Sequence, residues 1–238
     1  MVIVLVGTRN PLNLGAAARA MSNFGFLRLR VVNPYPIAFR EARSAVGAAA
    51  LLASAEEHKS VADAVADCTL VVGTTAVGHR ELRHPLRRLE AGARLIRQEA
   101  RSGHVALLFG SQKRGLSNRD LSHCHWLMRI PTREAHESMN LGQAVAVCLY
   151  ELVREAKSAT RQGKSQRATS SEVERMATLL NEALRLSGYF KSDARASTED
   201  KVRRLVRRLH LPADDATIWM GLLRQIVWKL RPEQAPQP

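Results

Sequence analysis

Five short apolar runs, each closed by a polar turn, constrain this chain more than any other feature. They read VIVLVG (2–7), LRLRVV (27–32), CTLVVG (68–73), HVALLFG (104–110) and HWLMRIP (125–131). Each is far too short to cross a membrane, and most are apolar on both faces rather than alternating. Between them lie helical patterns near 14–24, 40–53, 60–67, 86–101 and 140–157. Strands of this kind alternating with helices predict an α/β fold, a doubly wound parallel sheet with helices on both faces, over residues 1–157. Ligands of such sheets gather beyond the carboxyl ends of the strands. The unusual residues of this chain sit there.

Four strand ends carry turn chemistry: NPLNLGAAAR (10–19), GTTA (73–76), FGSQKRGLS (109–117) and IPTREAHESMN (130–140). The first leaves a buried strand through asparagines and a glycine, then sets a lone Arg19 in an alanine-rich helix, with Asn13 as the expected cap. Backbone N–H and C=O groups in such turns can hold an adenine edge or a small polar cofactor, and glycine permits close approach. Several chemistries are disfavoured. No G-x-G-x-x-G follows a strand, and GSQKRGLS has Leu116 where a phosphate loop needs lysine. No nucleophile elbow, HExxH or EF-hand pattern occurs. Cys68, Cys124 and Cys148 are odd in number and widely spaced, so no disulfide framework is implied. The HCH triplet at 123–125 lacks a second ligand pair, and no metal site is expected.

The charge points to a polyanion. Lys and Arg total 36 against 22 acids, a formal +14 with pI near 10.8. Up to Lys157 there are 21 basic and 13 acidic residues, and beyond it 15 and 9, so both parts are basic. Basic surface gains affinity for nucleic acid by releasing counterions from phosphates. KSATRQGKSQRATSS, ending at Ser171, has no acid and no large apolar residue, and predicts a flexible basic linker over 158–171. A helical domain is expected over 172–232, opened by a capping box of Ser171 and Glu174, with a tail at 233–238. Val202, Leu205, Val206 and Leu209 predict one apolar helical face, and Lys201, Arg203, Arg204, Arg207 and Arg208 an opposite, RNA-contacting face. Lys113 and Arg114, in the 109–117 loop, join that expected RNA-binding set. The absence of a basic leader or an apolar span predicts a cytoplasmic, soluble protein with no membrane partner.

Taken together, the strand-end motifs resemble the SPOUT superfamily of S-adenosylmethionine-dependent RNA methyltransferases, in its 2'-O-ribose branch. Asn13, Gly15 and Arg19 match the first family motif. Phe109, Gly110, Gly115 and Leu116 match the second, with Gln112 where glutamate is usual. Ile130, Pro131, Ser138, Asn140 and Leu141 match the third. The resemblance covers about two thirds of the chain, and the C-terminal helices look like the extension of the TrmJ subgroup, which 2'-O-methylates the tRNA anticodon loop at a position-32-type C or U. It implies a trefoil knot at the C-terminal end of the α/β domain, a homodimer, and S-adenosylmethionine as cofactor with tRNA as substrate. It further implies a cofactor pocket of Thr74, Thr75, Ala76, Gly110, Ile130, Glu137, Ser138 and Met139, and catalytic roles for Arg19, Asn13, Asn140 and Ser138. Arginine stays protonated in proteins, so Arg19 is expected to act as an electrostatic clamp rather than as a base. An rRNA methyltransferase and a non-catalytic RNA-binding protein on the same scaffold are the competing readings.

Overall fold

In the structure, a computed structural model, residues 1–35, 47–76, 84–136, 138–154, 167–190 and 195–231 are described. Seven strands form one sheet: β1 (Val2–Val6), β2 (Leu29–Val32), β3 (Glu56–His58), β4 (Leu70–Thr74), β5 (Leu86–Arg88), β6 (Val105–Phe109) and β7 (Trp126–Arg129). Their order is β3-β2-β1-β6-β4-β7-β5, and every pairing is parallel. β1 and β6 lie side by side at the centre and are buried along their whole length, as their apolar runs require. The two edges are the strands that periodicity missed. β3 reads EEH and β5 reads LRR, and such short charged segments blunt a sheet edge against further pairing. Arg30 ties β3 in place: its guanidinium bonds Glu56 at 2.9 Å and Asp67 at 2.5 Å while it is itself buried.

Alternate residues of β1 feed two cores, as the pleat dictates. Ile3 and Leu5 face one side, packed with Leu14 and Met21 of α1 (Pro11–Asn23), Leu52 of α2 (Ala49–Ala53), Ile96 of α4 (Leu89–Glu99) and Val145 and Leu149 of α6 (Leu141–Arg154). Val2, Val4 and Val6 face the other, with Val61 of α3 (Val61–Ala64) and Leu121 of α5 (Asn118–Leu121). α1 packs along α6 so closely that a Cβ on Gly142 would lie 2.6 Å from the Cβ of Ala16.

α1 begins earlier than expected, and Asn13 is not its cap. Asn10 is: its Oδ1 accepts from the Leu12 N–H at 2.9 Å, and Pro11 occupies the first helical position, where its missing N–H costs nothing. Asn13 is thereby left inside the first turn, buried, with its amide free for other partners.

Beyond the α/β core, α7 (Ser170–Leu186), α8 (Arg195–Arg208) and α9 (Ala213–Leu230) surround a separate apolar cluster that includes Val173, Met176, Val206, Met220 and Leu223. Here three expectations are corrected. Residues 158–166 of the expected linker lie outside the described residues, but 167–171 are docked on the α/β core. Arg167 pairs with Glu99 at 2.8 Å, and the Ser170 and Ser171 N–H groups donate to the carbonyls of Cys68 and Ala66. The capping box is Thr169 with Glu172, two residues earlier than expected, which frees Glu174. Glu174 then captures two arginines of α8, Arg203 at 2.9 Å and Arg207 at 3.0 Å. Arg207 is only 1% exposed and also donates to Ser170 Oγ at 2.8 Å.

α8 is therefore rotated from the amphipathic reading. Val202 and Val206 point inward beside Arg207, while Leu205 and Leu209 are exposed. Arg207 does not belong to a solvent-facing basic face, and Arg203 is held by Glu174, Asp200 and Ser122. Lys201 and Arg208 remain exposed, with Arg204 half-buried.

The HCH triplet serves this same junction. His123 Nδ1 lies 3.7 Å from Glu174 Oε2, Cys124 is buried in the core, and the ring of His125 stacks on His210 with centroids 5.4 Å apart. His125 is neutral, because burial pushes its pKa well down, and its Nδ1 accepts from the Val71 N–H at 3.0 Å.

Candidate active site

The carboxyl ends of β4, β6 and β7 release three loops that close around a cavity of about 450 Å³. Its wall holds Thr74, Thr75, Ala76, Gly110, Ile130, Ser138 and Met139, seven of the eight residues expected around a cofactor. Glu137 lies outside the described residues. The floor is apolar, made by Phe109, Met128, Leu141 and Ala144. Two pairings hold the first loop: Thr74 Oγ1 donates to the Leu108 carbonyl at 2.9 Å, and the Thr75 N–H to the Met128 carbonyl at 3.0 Å. Gly110 is dictated by packing, since a Cβ there would run into the backbone of Gly115 and Leu116, well inside 3.0 Å. Gly115 turns the loop back with φ +65°, and its N–H donates to the Ser111 carbonyl at 2.7 Å.

A second, larger cavity of about 760 Å³ opens beside the first, at the ends of β1 and β2. Gly7, Thr8, Arg9, Asn10, Asn13 and Asn33 line it on one side. Ser111, Gln112, Lys113, Arg114 and Gly115 line both cavities, so one loop is their common wall. Among the described lining, Arg9, Lys113 and Arg114 face this space against the carboxylate of Asp120, which is already engaged with the Ser117 N–H at 2.8 Å. The second cavity is thus electropositive and polar, suited to an anionic, hydrogen-bonding ligand. Its outlying members escaped the sequence reading. Asn33 had one available signal, its position directly after a strand, and it adopts the left-handed φ of 47° that asparagine tolerates.

Three side-chain amides tie the loops together. The Oδ1 of Asn140 accepts from the Gly142 N–H at 2.9 Å and the Gln143 N–H at 3.4 Å, capping α6. Its Nδ2 donates to Asn13 Oδ1 at 2.7 Å, and Asn13 Nδ2 in turn donates to Gln112 Oε1. Asn13 and Asn140, 127 residues apart in sequence, therefore meet, and Gln112 joins them. The sequence showed Gln112 only as a departure from a family pattern. Arg19 is not brought in: it is exposed on α1 and lines neither cavity.

The described lining of the first cavity contains no carboxylate, imidazole or thiol. No group of three or more His, Cys, Asp or Glu residues suited to a metal ion occurs among the described residues. The cysteines are no nucleophiles either, since burial pushes Cys68, Cys124 and Cys148 up to about 12. Such a site is built to hold and orient ligands rather than to exchange protons with its own titratable groups. Its apolar floor suits the face of an aromatic ring such as adenine.

The chain is similar to known RNA methyltransferases. Residues 1–150 match the model of the SpoU rRNA Methylase family. The tRNA (cytidine/uridine-2'-O-)-methyltransferase TrmJ of Sodalis glossinidius is 36% identical over 244 residues, covering 99% of this chain and 94% of the relative. That of Pectobacterium atrosepticum is 33% identical over 231 residues, covering 94% and 95%. Among solved structures, TrmJ from Z. mobilis ZM4 superposes with a TM-score of 0.83 at 31% identity, covering 94% of this chain and 98% of that one. The parallel sheet, the loops that close on one another at its carboxyl edge and the match over residues 1–150 together make this chain a member of the SpoU methylase family.

Proposed function

We propose that this protein transfers a methyl group from S-adenosylmethionine to a ribose 2'-hydroxyl of RNA, with the tRNA anticodon loop as its target. The observation that carries the reading is the paired cavities with a common wall: an apolar-floored one fit for an adenosine, and an electropositive one fit for a nucleotide. Bound S-adenosylmethionine supplies an electrophilic methyl on a sulfonium. The loops at Thr74–Ala76, Gly110–Leu116 and Ile130–Met139 hold that cofactor, and the Asn140–Asn13–Gln112 chain fixes the two outer loops against α1 and α6. Arg9, Lys113 and Arg114 draw in the phosphates flanking the acceptor, while Lys201 and Arg208 extend the basic surface on α8. Positioning then does most of the catalytic work. A C-terminal trefoil knot in the α/β domain is part of the same reading, as is division into an α/β methyltransferase domain and a helical RNA-binding domain.

The exposed faces of α1 and α6 support a homodimer. Leu12, Ala16 and Arg19 fall on one stripe of α1, and Gln143, Val147 and Tyr150 on one stripe of α6, which packs beside it. Leu12 is 79% and Tyr150 52% exposed. A second copy covering these stripes buries them and carries Arg19 to an active site that its own chain does not give it. There Arg19 clamps a phosphate and the developing alkoxide.

Calorimetric titration of S-adenosylmethionine, run beside tritiated methyl transfer to bulk tRNA with wild type and Arg19→Ala, tests the reading. Cofactor binding, with transfer lost in the variant, is the expected result. A protein that binds no cofactor and methylates no RNA would instead be an RNA-binding member of the family.

A further inference from the structure

We infer, on the methyltransferase reading above, that Asn33 reads the Watson–Crick edge of the acceptor base, its side-chain amide turning over to pair with cytosine or uracil alike.

Asn10, Asn13, Asn33 and Gln112 bring side-chain amides to the described lining of the second cavity, and all but one are engaged. Asn10 Oδ1 caps α1, Asn13 bonds through both Oδ1 and Nδ2, and Gln112 Oε1 accepts from Asn13. The amide of Asn33 has no hydrogen-bond partner among the described residues. Its backbone, by contrast, is fixed. The Asn33 N–H donates to the His58 carbonyl at 3.0 Å. To either side, the Gly7 N–H donates to the Val32 carbonyl at 2.9 Å and the Tyr35 N–H to the Thr8 carbonyl at 3.4 Å. These bonds hold Asn33 at its left-handed φ of 47°, a conformation that asparagine tolerates and that recurs at ligand sites. Its place in the sheet also suits a base. β2 lies two strands from β6, about 10 Å at ordinary strand spacing. With the acceptor ribose at the loop after β6 that both cavities share, the sugar and its base together can span that distance. Arg9, Lys113 and Arg114 supply charge for phosphates, which carry no sequence information, so the base is left to a neutral group.

An unpaired loop base offers its Watson–Crick edge for such reading. Cytosine presents N3 as an acceptor beside the N4 amino donor, and uracil presents the N3–H donor beside the O4 acceptor. A side-chain amide carries one acceptor and one donor side by side. Toward cytosine, Asn33 Oδ1 accepts from N4–H while Nδ2 donates to N3. After a half turn about its last torsion, Oδ1 accepts from the N3–H of uracil while Nδ2 donates to O4. The two arrangements make the same number of bonds of the same kind, so one residue serves both pyrimidines without preferring either.

Asn33→Gly removes the amide and suits the left-handed backbone, whereas Asn33→Asp keeps the shape but loses the donor. Both should melt within about 2 °C of wild type. With tRNA transcripts carrying C or U at the methylated position, Asn33→Gly should lower kcat/KM about 5- to 100-fold, and by the same factor for the two bases within about threefold. Asn33→Asp should lose at least as much at neutral pH, since N3 of cytosine and O4 of uracil both need the missing donor. Calorimetry should find S-adenosylmethionine affinity within about threefold of wild type in both, because Asn33 does not line the first cavity. A tRNA ligated to carry N3-methyluridine at that position separates contact from scaffolding. The methyl blocks the edge that is read, and should cost wild type about tenfold or more but Asn33→Gly about threefold or less. Losses that simply multiply, a loss confined to one base, or full activity of Asn33→Gly on both overturns the inference. A wild-type protein that neither binds cofactor nor methylates tRNA overturns the transferase reading instead.

Discussion

Replacing Glu174 with glutamine tests how the helical segment is held to the α/β core. Burial alone would raise this carboxyl. The facing charges of Arg203 and Arg207 outweigh burial, and His123, beyond hydrogen-bond reach at 3.7 Å, adds to them only when protonated. The result is a carboxyl held at about 2 instead of its ordinary 4.5. At about 1.4 kcal/mol per tenfold change, that depression corresponds to about 3 kcal/mol of folding stability. A second route gives a similar figure: removing one partner of a buried ion pair costs about 3–5 kcal/mol, because the other charge is left uncompensated. Here the stranded charge is Arg207, left among the described residues with Ser170 Oγ to bond. Glu174→Gln should therefore lower Tm by about 6–12 °C in a chain of this size. Because the folded-state pKa is depressed, the stabilisation is present above the ordinary carboxyl value and is lost as pH falls from 4.5 toward 2. Urea titrations of both proteins at pH 7, 5, 4 and 3 measure the gap directly. A gap below about 0.5 kcal/mol at pH 7, or one as large at pH 3 as at pH 7, would refute the assignment of this ion pair as the anchor.

Further consequences can be checked with simple assays. Gly110→Ala places a methyl into the backbone of Gly115 and Leu116, and should weaken S-adenosylmethionine binding more than about tenfold while costing about 1–3 kcal/mol of stability. Cys68, Cys124 and Cys148, buried and pushed up to about 12, should resist iodoacetamide at pH 8 in the native protein and react fully in denaturant. Rapid labelling of the native protein would contradict their burial. Tyr150→Glu, on the exposed stripe of α6, should shift sedimentation to a monomer and suppress methyl transfer with cofactor binding retained.

The central strands were legible because their apolar runs exceed what any loop would carry: β1, β4, β6 and β7 appear within a residue or two of their sequence limits. β3 and β5 were not, because an edge strand draws its partner from only one side and can be as polar as Glu56-Glu57-His58. The loops around the first cavity were legible as motifs at strand ends, and seven of the eight residues expected at a cofactor do line one cavity. Helix α8 misled, because periodicity counts arginine as polar. Arg207 buries a long aliphatic stem together with its charge once Glu174 comes from another helix, and no local pattern announces that pairing. The cap of α1 was misplaced for a simpler reason: Asn10 and Asn13 both suit the role, and Pro11 decided between them.

The loop shared by the two cavities makes their ligands thermodynamically reciprocal. Any ordering of residues 111–115 that one ligand brings about is already complete when the other arrives. Whatever factor cofactor adds to the affinity for RNA, RNA must add to the affinity for cofactor. On the proposed methyl-transfer reading, products leave under the same rule: where the coupling is favourable, each departure loosens the hold on what remains, through a single segment of chain that belongs to both cavities.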